Sequence, residues 1–115
     1  MNTFDRKWII DVGNPPDKGF RSDLRARLCR DFAQPPHNLP PDLIAQRADA
    51  LWLDAGRYGM RSRSDYARYS YLMMGYWDHW AQSPDAPWIS NVLTRRDLSG
   101  TNKLDFIYAT LEMAG

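Results

Sequence analysis

The sequence predicts an all-α fold, a compact single-domain bundle of four to five short helices. Three observations predict it. Apolar residues recur at three- and four-residue spacing in successive stretches of the chain. Cap-forming residues stand ahead of those stretches, and Gly or Pro stands behind them. The connectors are short and no internal repeat is present, which makes successive helices antiparallel neighbours in an orthogonal bundle. A chain of 115 residues is one domain's worth. A domain of that size buries roughly two-thirds of its unfolded surface, enough for one core without metal or disulfide support.

Residues 1–19 read as an N-terminal arm or short helix, and residues 20–115 as the helical domain. In the arm, Phe4, Trp8 and Val12 repeat every four, while Trp8-Ile9-Ile10 would also suit a short strand. Gly13-Asn14-Pro15-Pro16 breaks either structure. The first clear helix spans 20–33, with Ser22 or Asp23 as its cap and Phe20, Leu24, Leu28 and Phe32 as its apolar stripe. Pro35-Pro36 ends it, since neither ring offers an N–H.

Pro41 suits a first helical position, so a second helix is expected from Pro41 to Tyr58. Its stripe is Ile44, Ala48, Leu51, Trp52, Ala55 and Tyr58, and Gly59 fits the left-handed position that closes many helices. Ser62 followed by Asp65 resembles a capping box. The helix it opens, about Ser64 to Gln82, carries Tyr66, Tyr69, Met73, Tyr76/Trp77 and Trp80 on one stripe, widened by Leu72 and Met74. Its polar strip is narrow: Asp65, Arg68, Gly75, His79 and Gln82. So apolar a helix belongs at the centre of the fold.

Ser83-Pro84-Asp85-Ala86-Pro87 is a turn. A short helix from Trp88 follows, with Trp88, Ile89 and Val92 inward. Asp97-Leu98-Ser99-Gly100 breaks the chain again. Ser99 or Thr101 caps a last helix, whose inner face is Leu104, Ile107/Tyr108 and Leu111.

Composition narrows the function classes. The net charge of +1, from 15 basic and 14 acidic residues, argues against nucleic acid as the dominant partner. The one rival signal is local: Arg57, Arg61, Arg63 and Arg68 are interleaved with Tyr66 and Tyr69, a pattern that grips single strands, and it keeps a nucleic-acid-binding helical module as an alternative. A single cysteine, Cys29, forms no internal disulfide. The run Trp8-Ile9-Ile10 is too short for a signal peptide, and no stretch approaches the roughly 20 apolar residues of a membrane span. A cytoplasmic protein without membrane contact is the expectation.

No constellation of catalytic residues stands out, so an enzyme is not expected. His37, His79 and Cys29 match no metal-ligand spacing, and no metal or cofactor is expected. Cys29 lies beside the first helix's stripe, where a buried thiol is inert. Of the 14 acidic residues, 13 are Asp, scattered over caps and turns where Asp satisfies backbone donors. Five Trp and six Tyr are hard to bury completely in so small a domain. Some of them are expected at a partner surface, with Tyr71 and Trp80 as candidates. Arg61, Arg63 and Arg68, at the junction before the most apolar helix, complete the candidate partner-binding set.

Two strings then carry a resemblance. Arg57-Tyr58-Gly59-Met60, Asp65-Tyr66-Ala67-Arg68-Tyr69 and Leu72-Met73-Met74 form an "R-Y-G…D-x-x-R-Y-x-x-L-M" pattern. Ser83-Pro84-Asp85-Ala86-Pro87-Trp88-Ile89 and Leu98-Ser99-Gly100-Thr101-Asn102-Lys103-Leu104-Asp105 resemble a "D-P-x-x-P-W…L-S-G-x-x-K-x-D" pattern. With Leu24 to Phe32, the pattern covers about Phe20 to Met113. It resembles small helical proteins of bacterial type VI secretion clusters, and the helical C-terminal segment of adaptor chaperones that load effectors onto the secretion spike. The chain departs from that pattern at Gly75-Tyr76-Trp77-Asp78-His79, where the family tends to carry G-P-x-F-D. The resemblance implies a non-enzymatic accessory role: binding a secreted effector, an adaptor or a spike component. An immunity protein that neutralises a cognate toxin is the alternative.

Overall fold

The computed structural model describes residues 16–114. The expectation of an arm or short helix therefore lies, up to residue 15, outside the described residues. Five α-helices follow one another: α1 (Lys18–Phe32), α2 (Pro41–Arg57), α3 (Arg63–Tyr76), α4 (Ala86–Leu93) and α5 (Gly100–Ala114). A 3₁₀ segment, Trp77–Gln82, joins α3 to α4. The described residues hold no strand, and the all-α bundle expected from the sequence is the fold. No helix among them is long and apolar enough to cross a membrane.

α1 buries the stripe expected of it: Phe20, Leu24, Leu28 and Phe32. Full burial of such side chains is worth about 1.5–3 kcal/mol each. A cap contributes about 1 kcal/mol, so the stripe holds the helix and the cap only sets its start. That cap is Asp17, not Ser22 or Asp23. Asp17 is extended, and its Oδ1 accepts the Phe20 N–H at 2.8 Å. The helix begins two residues before the expected boundary at residue 20.

α2 starts on Pro41 and buries Ile44, Ala48, Leu51 and Ala55, leaving Trp52 and Tyr58 half-buried. It closes as the sequence suggests. Gly59 has φ +91°, the Gly59 N–H donates to Gly56 O at 3.3 Å, and the Met60 N–H donates to Ala55 O at 3.0 Å. This paired bonding is the Schellman closure, and it sinks Met60 into the core.

α3 is the central helix, packed against α1, α2 and α5. Ser62 caps it, its Oγ accepting the Asp65 N–H at 3.1 Å. Two details differ from expectation. Asp65 belongs to no solvated strip but is 2% exposed. The helix also stops at Tyr76 rather than at Gln82. Gly75 weakens its last turn, and nothing packs where a Gly75 side chain would stand. Just beyond, Arg47 of α2 takes the Asp78 carboxylate in a two-pronged pair of 2.8 and 3.0 Å. His79 is then non-helical, at φ −130° and ψ 21°.

α4 buries Ile89, Val92 and Leu93. Trp88, expected inward, is half-buried because its Nε1–H donates to Asp85 at 3.0 Å. The same Asp85 carboxylate accepts the Tyr76 hydroxyl at 2.9 Å, tying the 83–87 turn to the end of α3. Ser99 caps α5, its Oγ accepting the Asn102 N–H at 3.1 Å. Leu104 and Ile107 are fully buried beneath it.

Candidate functional site

The candidate recognition residues are spread over several elements. Arg61 is exposed, and its guanidinium donates to the Met60 carbonyl at 3.0 Å. Arg63 instead reaches α1, pairing with Asp17 at 3.5 Å and lying 5.4 Å above the Phe20 ring. Arg68 donates to Asp105 at 2.6 Å and to Asp65 at 3.5 Å. Tyr71, expected at a partner surface, lies in the core against Phe32. Its hydroxyl donates to Asp31 at 2.5 Å. Burial, and then that Asp31 bond, raise the Tyr71 phenol pKa above its ordinary value. Trp80 is half-buried, edge-on to Tyr76 at 5.7 Å. Packing thus commits Arg63, Arg68 and Tyr71 to the fold, and leaves Arg61 and Trp80 near solvent.

The motif residues meet in one place. The segment Ser99–Asp105 lies against Tyr58–Arg68, and the two strings interlock. A Cβ on Gly100 would stand 2.5 Å from Gly59 O and 2.8 Å from Met60 Cα, so only glycine allows this backbone approach. The Thr101 hydroxyl lies 2.8 and 2.9 Å from the two carboxylate oxygens of buried Asp65. The Arg61 N–H donates to the same carboxylate at 3.3 Å. Lys103 Nζ donates to the Tyr58 carbonyl at 2.8 Å, where α2 leaves an acceptor unmet. Arg68 closes the lock onto Asp105, and the Tyr108 hydroxyl donates to Arg68 O at 2.8 Å. Gly59, Asp65, Arg68, Gly100, Thr101, Lys103 and Asp105 are therefore fold-specifying residues.

Three other motif residues, Tyr58, Tyr69 and Met73, face a concave site instead. Where α3 gives way to the 3₁₀ segment, a cleft of about 280 Å³ opens between α2, α3 and α4. Tyr58, Tyr69, Met73, Trp77 and Trp80 wall it, and Asp54 and Ser90 are its polar groups. The break in α3 positions the two tryptophans, which stand at either side of the kink at His79. Arg47 lies 5.1 Å from the Trp77 ring and holds it from behind. Tyr69 is 2% exposed, yet its hydroxyl has no hydrogen-bond partner among the described residues. Its phenol pKa is raised, first by burial and then by the nearby Asp54 charge. An apolar-walled hollow with a few convergent polar groups is what a ligand side chain needs.

Nothing comparable surrounds the reactive residues. Cys29 Sγ donates to Pro41 O at 3.6 Å, and burial raises its thiol pKa. His37 packs at a tilt against Phe32, and His79 at a tilt against Tyr76. Among the described residues, no three His, Cys, Asp or Glu side chains are placed to share a metal ion.

Sequence reasoning placed Tyr58, Tyr69 and Trp77 on core stripes and assigned Asp54 no role. The excess of tryptophan signalled that some aromatic must face outward. Which ones do so follows from where α3 breaks, and that depends on Arg47, thirty-one residues from Asp78. No family model, curated protein or solved structure matches the chain.

Proposed function

We propose that this chain is a non-enzymatic accessory protein of a type VI secretion system, adaptor-like, that binds a protein partner through the aromatic cleft. The partner would be a secreted effector, an adaptor or a spike component. The supporting observation is the cleft itself: Trp77, Trp80, Tyr58 and Tyr69 wall it, Trp77 is exposed, and the Tyr69 hydroxyl has no hydrogen-bond partner among the described residues. Trp and Tyr dominate the binding energy of protein interfaces because each joins a large apolar area to one polar tip. The secretion setting comes from the sequence resemblance alone.

The test is affinity purification from the native host, with identification of whatever co-purifies. A secretion effector, adaptor or spike component is expected with the wild-type chain. Its recovery should fall at least about tenfold in Trp77→Ala and Trp80→Ala, the scale of an interface hot spot. Recovery of the same partner at full yield by both variants would move the interface off the cleft. Deletion of the gene should abolish effector delivery without harming the producing cell. A growth defect that depends on a neighbouring toxin would instead favour an immunity protein. Replacing Cys29, His37 and His79 together should leave capture unchanged.

A further inference from the structure

A second hollow, of about 440 Å³, adjoins the cleft and shares Tyr58 and Leu93 with it. It lies where α2 and α4 both end, and four cations line it: Arg57, Arg95, Arg96 and Lys103. Two of them have carboxylate partners. Arg57 pairs with Asp54 at 3.3 Å, and Arg95 grips Asp97 through contacts of 2.9 and 2.5 Å. The other two do not. Arg96 forms no ion pair among the described residues. Lys103 is 5% exposed and spends one of its three N–H donors on the Tyr58 carbonyl.

The helix ends offset part of this charge. Each helix C-terminus presents about half a negative charge, so two of them answer roughly one of the two unpaired cations. Positive charge remains, and a nearly buried ammonium without a counter-ion is costly. Burial accordingly lowers the Lys103 pKa, against the opposing pull of Asp97. The nearby carboxylates, Asp54 and Asp97, are already engaged.

We infer that this hollow is a carboxylate subsite continuous with the aromatic cleft, so that the partner's recognition segment carries an Asp or Glu side chain beside an apolar anchor. The inference rests on the cleft being the partner surface. Its chemistry is a charge-assisted hydrogen bond from Arg96 and Lys103 to a carboxylate, with the neighbouring apolar side chain held among Trp77, Trp80 and Tyr58. A partner lacking the acid would leave the 5% exposed Lys103 without that acceptor, which is how such a site discriminates.

The experiment is an NMR titration of the intact chain with three blocked dipeptides: Ac-Leu-Asp-NHMe, Ac-Leu-Asn-NHMe and Ac-Ala-Asp-NHMe. The Trp77 and Trp80 indole N–H signals report on the cleft, and the Arg95 and Arg96 side-chain signals report on the hollow. Ac-Leu-Asp-NHMe should move both sets and bind about fivefold or more tightly than its Asn counterpart at low salt, near 1 kcal/mol. In Arg96→Gln, whose exposed side chain leaves the fold intact, that preference should vanish while binding of the Asn peptide is unchanged. Equal binding of the Asp and Asn peptides, with the indoles moving, overturns the carboxylate subsite and leaves the cleft standing. A preference that survives in Arg96→Gln likewise overturns it. Indoles that stay still with all three peptides overturn both readings.

Discussion

Two regions meet at Tyr58, and they are built on opposite principles. Its carbonyl accepts Lys103 and belongs to the interlock; its ring walls the cleft. In the interlock, side chains bond from one segment to the other, though the buried Arg68 Nε lacks a partner among the described residues, and backbone touches backbone through Gly59 and Gly100. In the cleft, large rings stand around open space and the Tyr69 hydroxyl is unmatched. A closely packed region leaves little room for a partner side chain, and an open hollow leaves more. Gly59, Asp65, Gly100, Thr101 and Lys103 hold α5 against the α2–α3 junction, while the motif residues Tyr58, Tyr69 and Met73 wall the cleft. The segment Gly75 to His79, where the chain departs from the resembled pattern, carries Trp77 of the cleft.

The contrast breaks most sharply at Gly100. Gly100→Ala forces its methyl group into the Gly59 and Met60 backbone, and should cost about 3 kcal/mol, at the upper end for overpacking. Urea unfolding measures it, and a loss under about 1 kcal/mol would show that the interlock yields easily.

Thr101→Val keeps the shape but removes the hydroxyl from the buried Asp65 carboxylate. A loss of about 1–2 kcal/mol is expected, with cleft signals unmoved. If the indole signals of Trp77 and Trp80 shift instead, the two regions are coupled.

The tyrosines give a pH signature. Burial, and then the Asp85 hydrogen bond, push the Tyr76 phenol up to about 12. Below its ordinary value of 10.0 the folded and unfolded chains both keep that proton, and its stabilisation is complete. As pH climbs from there toward 12, the unfolded chain releases the proton first, and stability falls. Tyr76→Phe should flatten the alkaline limb of a stability–pH curve. An unchanged limb would assign the effect to Tyr69, Tyr71 and Tyr108, whose values rise in the same direction.

The smallest stability effect belongs to the cleft. Trp77 is 38% exposed, so Trp77→Ala should cost no more than about 1 kcal/mol while weakening partner capture. A thermal unfolding curve for this variant that matched Gly100→Ala would make Trp77 a structural residue and erase the distinction.

What the sequence by itself determined is the helical scaffold. The Phe20/Leu24/Leu28/Phe32 stripe, Pro41, Gly59 and the Ser62 cap all act within a few residues of themselves, so they can be read along the chain. Only the tertiary structure decided the rest. Asp65 became buried because Thr101 arrived from thirty-six residues away to bond it. Tyr71 went inward because Asp31 of α1 accepts its hydroxyl. The helix expected to run to Gln82 ended at Tyr76, where Arg47 of α2 claims Asp78, and the cleft opened at that break. Local signals set where most of these helices start, but where α3 stops, and whether a polar or aromatic side chain faces core or solvent, depends on partners the chain brings near only once it has folded.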